Sequence, residues 1–300
     1  MRLKITHSTR YEYAQEVALT PHILRLRPRS TSHQRVERFR LTVTPQPEHL
    51  MILDSMDDSL FHRLYFQSKT KVLAIETEAI VVAKESLVPD DLHLFTNPIL
   101  PVIYSPQIQG GLTPYLALIP DSESVMAWCQ ELVGKTGGRI DRFLMALVRE
   151  IQQIYHTEYR EFGWPHSPNV TMQRQAGSCR DVAWLMVACC RAMGIATRFV
   201  SGYVYDHTRL KSGGELHAWV EVYLLGYGWI GYDPSYACQV GERHIKICSG
   251  WVPELCATVE GSFIGQAAST LDTRVSISPY PEGGAGTPPV SPVIHQTRGY

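Results

Sequence analysis

The stretch AGSCRDVAWLMVACCRAMGI, residues 176–195, decides how the chain is read. It is apolar almost all the way round, yet it opens with a glycine, a serine, a cysteine and two charges. Ser178 followed three residues later by Asp181 is a capping signature: the hydroxyl accepts from a first-turn N–H and the carboxylate reaches back to the cap. The spacing predicts a helix with Cys179 in its first turn. From Val182 to Met193 the only charge is Arg191, and Gly194 ends the run, the pattern of a helix buried on most sides. A thiol at the start of such a helix meets unpaired N–H groups and the positive end of the helix dipole, both of which favour the thiolate. The alternative is a capped core helix with an incidental cysteine, and this stretch alone does not choose.

The rest of the chain limits the choices. Its 300 residues, 44% hydrophobic and 19% charged, describe an ordinary soluble chain with room for one large domain or two smaller ones, and two are expected. With 28 basic against 29 acidic residues there is no electrostatic footprint for nucleic acid, so no nucleic-acid partner is expected. The N-terminus, MRLKITHSTRYEY, alternates apolar and polar residues without an apolar signal core, and no later run reaches transmembrane length. A cytoplasmic protein with no membrane partner is expected. The seven cysteines, at 129, 179, 189, 190, 238, 248 and 256, are an odd number without a secretory signal, which argues against a disulfide framework. Neither C-x-x-C nor H-E-x-x-H occurs, so neither a metal nor a cofactor is expected.

Two regimes of periodicity divide the chain. Leu3 and Ile5, then Phe39, Leu41 and Val43, then Leu73 and Ile75 occupy alternate positions, which predicts a β-rich domain over residues 1–105. The Pro- and Gly-dense run from Val88 to Pro114 reads as a wrapping connection, with a boundary near 105. Beyond it Ile140, Phe143, Leu144, Leu147, Val148, Ile151, Ile154 and Tyr155 recur at helical spacing after Gly137 and Gly138. After the cysteine helix, IATRFVSGYVY and LHAWVEVYLLGYGWIGYDPS read as strands, the latter folded into a hairpin at Gly226–Gly228. The fold class expected is therefore α+β, with a helix-plus-antiparallel-sheet core over 106–275. Residues 276–300 read as a disordered tail.

A lone cysteine means little without a base and an orienting group. In ELHAWVEVY alternation puts His217, Trp219, Glu221 and Tyr223 on one face. Asp233 ends the next strand before Pro234, where it also suits a turn. Nucleophile, base and orienter thus occur in chain order. These segments, with GERHIKI further on, resemble the core of the transglutaminase-like superfamily, specifically its bacterial proteins described as cysteine proteases. THSTRYEYAQEVALTPHILRLRPR resembles the β-rich N-terminal region that accompanies that core. The resemblance implies a papain-like site on an α+β scaffold, with Cys179 as nucleophile, His217 as base and Asp233 as orienter. Ser178 departs from it, since relatives often carry an apolar residue there.

The hairpin poses a geometric question. Closed symmetrically about Tyr227, it would set Asp233 opposite Glu221 and leave His217 roughly 13 Å further along, at about 3.3 Å per residue. Closure nearer Leu225, or a bulge, would bring the pair together, and Gly226, Gly228 and Gly231 allow either. Glu221 is the fallback carboxylate. For an oxyanion, the Cys179 N–H is the first donor, with YHTEYREFGW or Gln173 and Gln175 as sources of a second. Trp219 and Trp229 suit core packing at least as well as an acyl groove, while Cys189 and Cys190 read as inert thiols. The expected function is acyl transfer on a peptide or carboxamide bond through a thioester, with water as acceptor. The alternatives are an amine-accepting ligase and a non-catalytic module that binds peptide or protein. The oligomeric state is not legible.

Overall fold

The computed structural model describes residues 1–57, 59–85, 99–120, 122–160, 163–208 and 213–281. Strict alternation organises the first part. Strand β1 (Arg2–Leu19) turns Leu3, Ile5, His7 and Thr9 inward and leaves the residues between them partly exposed, as a strand with one buried face must. It pairs antiparallel with β6 (Thr70–Ala83), which pairs with β3 (Gln34–Thr44). A second sheet contains β2 (His22–Leu24), β4 (His49–Asp54) and β5 (Leu60–Tyr65), with β14 (Val259–Glu260) at its far edge. Tyr13, Val17 and Leu73 from the first sheet and Leu24 and Leu64 from the second are buried together in one cluster.

The second part contains helices α1 (Pro106–Leu116), α2 (Glu123–Thr136), α3 (Ile140–Ile154), α4 (Pro168–Arg174) and α5 (Cys179–Ala192). Its sheet runs β12 (Cys238–Gln239), β11 (Gly228–Asp233), β10 (Gly214–Leu224), β9 (Thr197–Tyr205), β13 (His244–Gly250), with every neighbouring pair antiparallel. The predicted stripe of α3 from Ile140 to Ile151 is buried, whereas Ile154 at its end is 40% exposed. Helix α5 is buried along most of its length, and the buried charge near its end is paired with carbonyls. Arg191 donates to Thr197 O at 2.9 and 3.2 Å, to Trp251 O at 2.6 Å and to Ala117 O at 3.1 Å. The fold is thus mixed, with antiparallel sheets and an N-terminal β-rich region, as expected.

Two features differ from the sequence reading. Residues 106–116, inside the run read as a connection, form α1, with Pro106 in the first turn and Pro114 inside the helix. Proline is tolerated where the first-turn N–H groups have no intrahelical partner, so Pro106 starts the helix. The tail boundary at 276 is also corrected. Strand β16 (Ser269–Pro279) pairs with β1 from Leu3↔Pro279 to Tyr13↔Ser269, and Ile277 is buried. The alternation Leu271, Thr273, Val275, Ile277 carries that strand, and the glycines and prolines further on hide it. The rest of the predicted tail, residues 282–300, lies outside the described residues. A short strand β15 (Phe263–Ile264) completes the same edge of β1.

The two parts share a core. Leu3, Ile5 and Val81 are buried in one cluster with Leu144, Leu185 and Val220. Polar contacts fix the register between them: the Gln34 amide donates to Lys246 O and accepts from Lys246 N, both at 2.8 Å. The N-terminal region thereby braces β13.

Candidate active site

Helix α5 begins in a reciprocal capping box between Ser178 and Asp181. Asp181 Oδ2 accepts the Ser178 N–H at 2.7 Å and its hydroxyl at 2.8 Å. The other oxygen accepts from Arg160 Nη2 and from the His166 N–H, both at 2.6 Å. Burial pushes the Asp181 carboxyl up, but these donors outweigh it and hold its pKa below the ordinary value. Gly177 opens the run because a Cβ there would stand 2.7 Å from Asp181 Cβ. The segment before α4 is drawn alongside: β7 (His156–Thr157) pairs in parallel with β8 (Ala176–Gly177), and Glu158 N donates to Gly177 O at 3.0 Å. Of the two sources named for a second oxyanion donor, it is this stretch that flanks the residues before Cys179. Gln173 and Gln175 are exposed.

The hairpin resolves the register question between the two closures considered. Its pairs run from Leu224↔Gly228 to Val220↔Tyr232, with no bulge, so it closes about Gly226. Continuing that register sets Asp233 across from Trp219, with His217 two residues along the same face. Such a diagonal pair lies within reach of long side chains. His217 Nε2 and Asp233 Oδ2 are 2.8 Å apart, and both side chains are buried. Glu221 is committed elsewhere: its Oε2 lies 2.6 Å from Arg198 Nη2 and 2.7 Å from Lys246 Nζ. Burial opposes its ionisation, yet these two cations hold its carboxyl down to about 2.

The other ring nitrogen of His217, Nδ1, has no hydrogen-bond partner of ordinary geometry. The Cys179 thiol lies beside the ring, near enough to act on its titration, and Glu215 Oε1 is 3.9 Å from Nδ1. Burial alone would depress the His217 pKa. The Asp233 carboxylate, with a smaller contribution from Cys179, overrides it and holds the imidazole well above its ordinary value. The fold therefore brings Cys179, His217 and Asp233 together in the order in which a proton could pass.

One neighbour was not legible in the sequence. His244 Nε2 is 3.0 Å from the same Asp233 Oδ2, and its Nδ1 accepts the Gly241 N–H at 3.3 Å. The segment GERHIKI contains it, but nothing in its spacing separates this histidine from the other eleven. Trp219 is 1% exposed, and Trp229 lies under the Arg198 guanidinium at 4.2 Å, so both are packing residues. Cys189 and Cys190 are fully buried, and burial pushes both thiols up. Cys238 is held up to about 11 by burial and by the nearby Asp233 charge. Among the described residues no cluster of three or more His, Cys, Asp or Glu side chains is arranged to hold a metal ion, and no helix is long and apolar enough to cross a membrane.

Two family models match the chain. Residues 127–234 match the transglutaminase-like superfamily, and residues 3–82 match the bacterial transglutaminase-like N-terminal region. An uncharacterized protein of Mycobacterium leprae is 25% identical over 281 residues, spanning 92% of this chain and 98% of its own. Another, from Mycobacterium tuberculosis, is 25% identical over 305 residues, spanning 95% and 94%. The crystal structure of a Cytophaga hutchinsonii protein named "putative cysteine protease" is similar at a TM-score of 0.73 and 22% identity, over 93% of this chain and 90% of that one. That likeness establishes a shared fold.

Proposed function

We propose that this chain, in which a bacterial transglutaminase-like N-terminal region precedes a transglutaminase-like superfamily core, is a cysteine-dependent acyl-transfer enzyme that hydrolyses peptide or carboxamide bonds. What supports the reading is one arrangement. His217 gives Nε2 to a buried carboxylate and leaves Nδ1 to the neighbouring Cys179 thiol. A binding module has no use for that pairing.

In this reading Nδ1 takes the thiol proton and the sulfur attacks the substrate carbonyl carbon. The Cys179 N–H, at the first helical position where no intrahelical acceptor exists, donates to the oxyanion. As the tetrahedral intermediate collapses, the C–N bond breaks and the leaving amine takes the proton from Nδ1. A thioester remains. Water then attacks it while Nδ1 removes the water's proton, the C–S bond breaks, and the thiol regains its hydrogen. Asp233 stays ionised throughout and keeps the Nε2–H tautomer. No metal or cofactor enters these steps. The seven cysteines are free thiols, which supports a reducing, cytoplasmic setting.

The test is incubation with a panel of fluorogenic peptide amides, with and without a primary amine, alongside Cys179→Ala. Expected are free-acid products that persist with amine present and vanish in the variant, and iodoacetamide labelling that falls on Cys179 before any other cysteine. Amine adducts as the main product would replace hydrolysis with ligation, and turnover retained by Cys179→Ala would end the covalent reading.

A further inference from the structure

We propose that His244 is a positioning residue for the His217–Asp233 pair, an assignment that rests on the acyl-transfer reading above. A carboxylate offers about four lone-pair positions, and in Asp233 all are filled. Oδ1 accepts the N–H groups of Ser235 at 2.8 Å and Tyr236 at 3.3 Å, while Oδ2 faces His217 Nε2 at 2.8 Å and His244 Nε2 at 3.0 Å. The two backbone donors fix the plane of the carboxylate. The second histidine fills what His217 leaves.

The tautomer of His244 follows from its own partner. Because Nδ1 accepts the Gly241 N–H at 3.3 Å, the ring carries its hydrogen on Nε2 and meets Asp233 as a neutral donor. Its ring lies edge-on to Trp219, with centroids 5.4 Å apart. Strand β9 runs between β10 and β13 and carries Gly202 at this level, paired with both His217 and Lys246. A Cβ on Gly202 would stand 2.3 Å from the Trp219 ring, so the missing side chain is what lets the aromatic rings meet across β9. The site is built to bring His244 in.

Chemically, a second donor on Oδ2 lowers the proton affinity of Asp233. The hydrogen shared with His217 then stays on Nε2 rather than passing to the carboxylate, and Nδ1 stays open to the thiol. Without that donor, a buried anion keeps one lone pair unpaired and protonates more readily. Burial already pushes the Asp233 carboxyl up, and His217 first, then His244, overcome it and hold it far below the usual carboxylate range. Cys179 of α5, Glu215 of β10 and Cys238 of β12 also act on this cluster, and the Tyr236 ring lies edge-on to both imidazoles. None of these side chains is a donor to Asp233 among the described contacts.

The experiment is the pH profile of Cys179 alkylation by iodoacetamide in the intact protein, with His244→Phe, His244→Gln and Cys179→Ala. Phe keeps the ring and removes the donor, whereas Gln keeps an N–H. Expected for Phe is an acid limb displaced by about one pH unit, the equivalent of one charge-assisted hydrogen bond, with Gln restoring the original profile. Identical profiles for all three His244 forms would overturn the proposal, and so would equal shifts for Phe and Gln, which would assign His244 to packing alone. Should Phe not fold, the ¹⁵N ring signals of the unaltered protein decide: a neutral Nε2–H tautomer at His244 supports the assignment and any other form refutes it. Cys179→Ala tests the underlying reading separately, because fast labelling that survives in it would place the reactive thiol elsewhere.

Discussion

Replacing Asp233 with asparagine asks whether the carboxylate sets the tautomer of His217. Asp233 Oδ1 is held by two backbone N–H groups that cannot turn away, so the amide of Asn must present its single oxygen there. Its NH2 then faces His217 Nε2 and His244 Nε2, both donors in the native protein. His217 must move its hydrogen to Nδ1, where it points at the sulfur and can no longer accept from it. The loss is that of one charge-assisted hydrogen bond, about 1.5–3 kcal/mol, and the His217 imidazole becomes a weaker base. Alkylation of Cys179 at pH 6 should therefore slow by about 10- to 100-fold. Near pH 9.5, where an ordinary thiol ionises without help, the two rates should converge. Turnover should fall further, by about 10⁴-fold, as expected when a triad base is held in the wrong tautomer. The assay is iodoacetamide labelling followed by mass spectrometry from pH 5.5 to 9.5, at matched folding. Wild-type labelling by Asp233→Asn at pH 6 would show that the carboxylate does not govern the imidazole.

Glu221→Gln should leave the alkylation profile unchanged but lower the melting temperature, because it strands Arg198 and Lys246 as buried cations, a loss of about 3–5 kcal/mol. In the native protein the Glu221 carboxyl titrates at about 2 rather than 4.5. Its contribution, about 3 kcal/mol on that shift, is complete above pH 4.5 and disappears as pH falls toward 2, so melting curves of the variant should be flatter across that window. Gly202→Ala drives a methyl into the Trp219 ring and the Ile245 carbonyl, each 2.3 Å away; the expected cost is at least about 1–3 kcal/mol, read as a fall in denaturation midpoint, and an unchanged midpoint would mean that β9 moves freely. Ending the chain after Pro281 should leave melting unaltered, whereas ending it before Ser269 removes β16 and should destabilise strongly; equal melting of the two would refute the role given to that strand.

Legibility in the sequence followed how local each determinant is. The capped start of α5, the stripe of α3 and the alternation of β1 are set by residues a few positions apart, and each could be read. Parity alone put His217 and Asp233 on one face, since any closure that keeps them in register preserves it. The closure itself was open because three glycines near the turn tolerate several geometries, and the turn adopted sets both Gly226 and Gly228 at positive φ. Glycine and proline misled twice, at α1 and at the end of β16, where composition outweighed a shorter periodic signal. His244 was hidden because its partner lies on a strand that is not its neighbour in the sheet, and no spacing rule spans that distance.

The pairing of β16 with β1 sets the order in which the molecule can be completed. During synthesis β1 emerges well before β16, so the edge of β1 that β16 covers waits for its partner until Ser269–Pro279 leaves the ribosome. Until then that edge is a template for any extended segment nearby. The strand that finally covers it also lies against Gly213 and Gly214 at the start of β10, where Ile277 occupies the space that side chains there would need. Strand β16 thus closes the first sheet and packs against the strand that carries His217, and a ribosome-bound chain lacking it holds Cys179 on an unfinished frame.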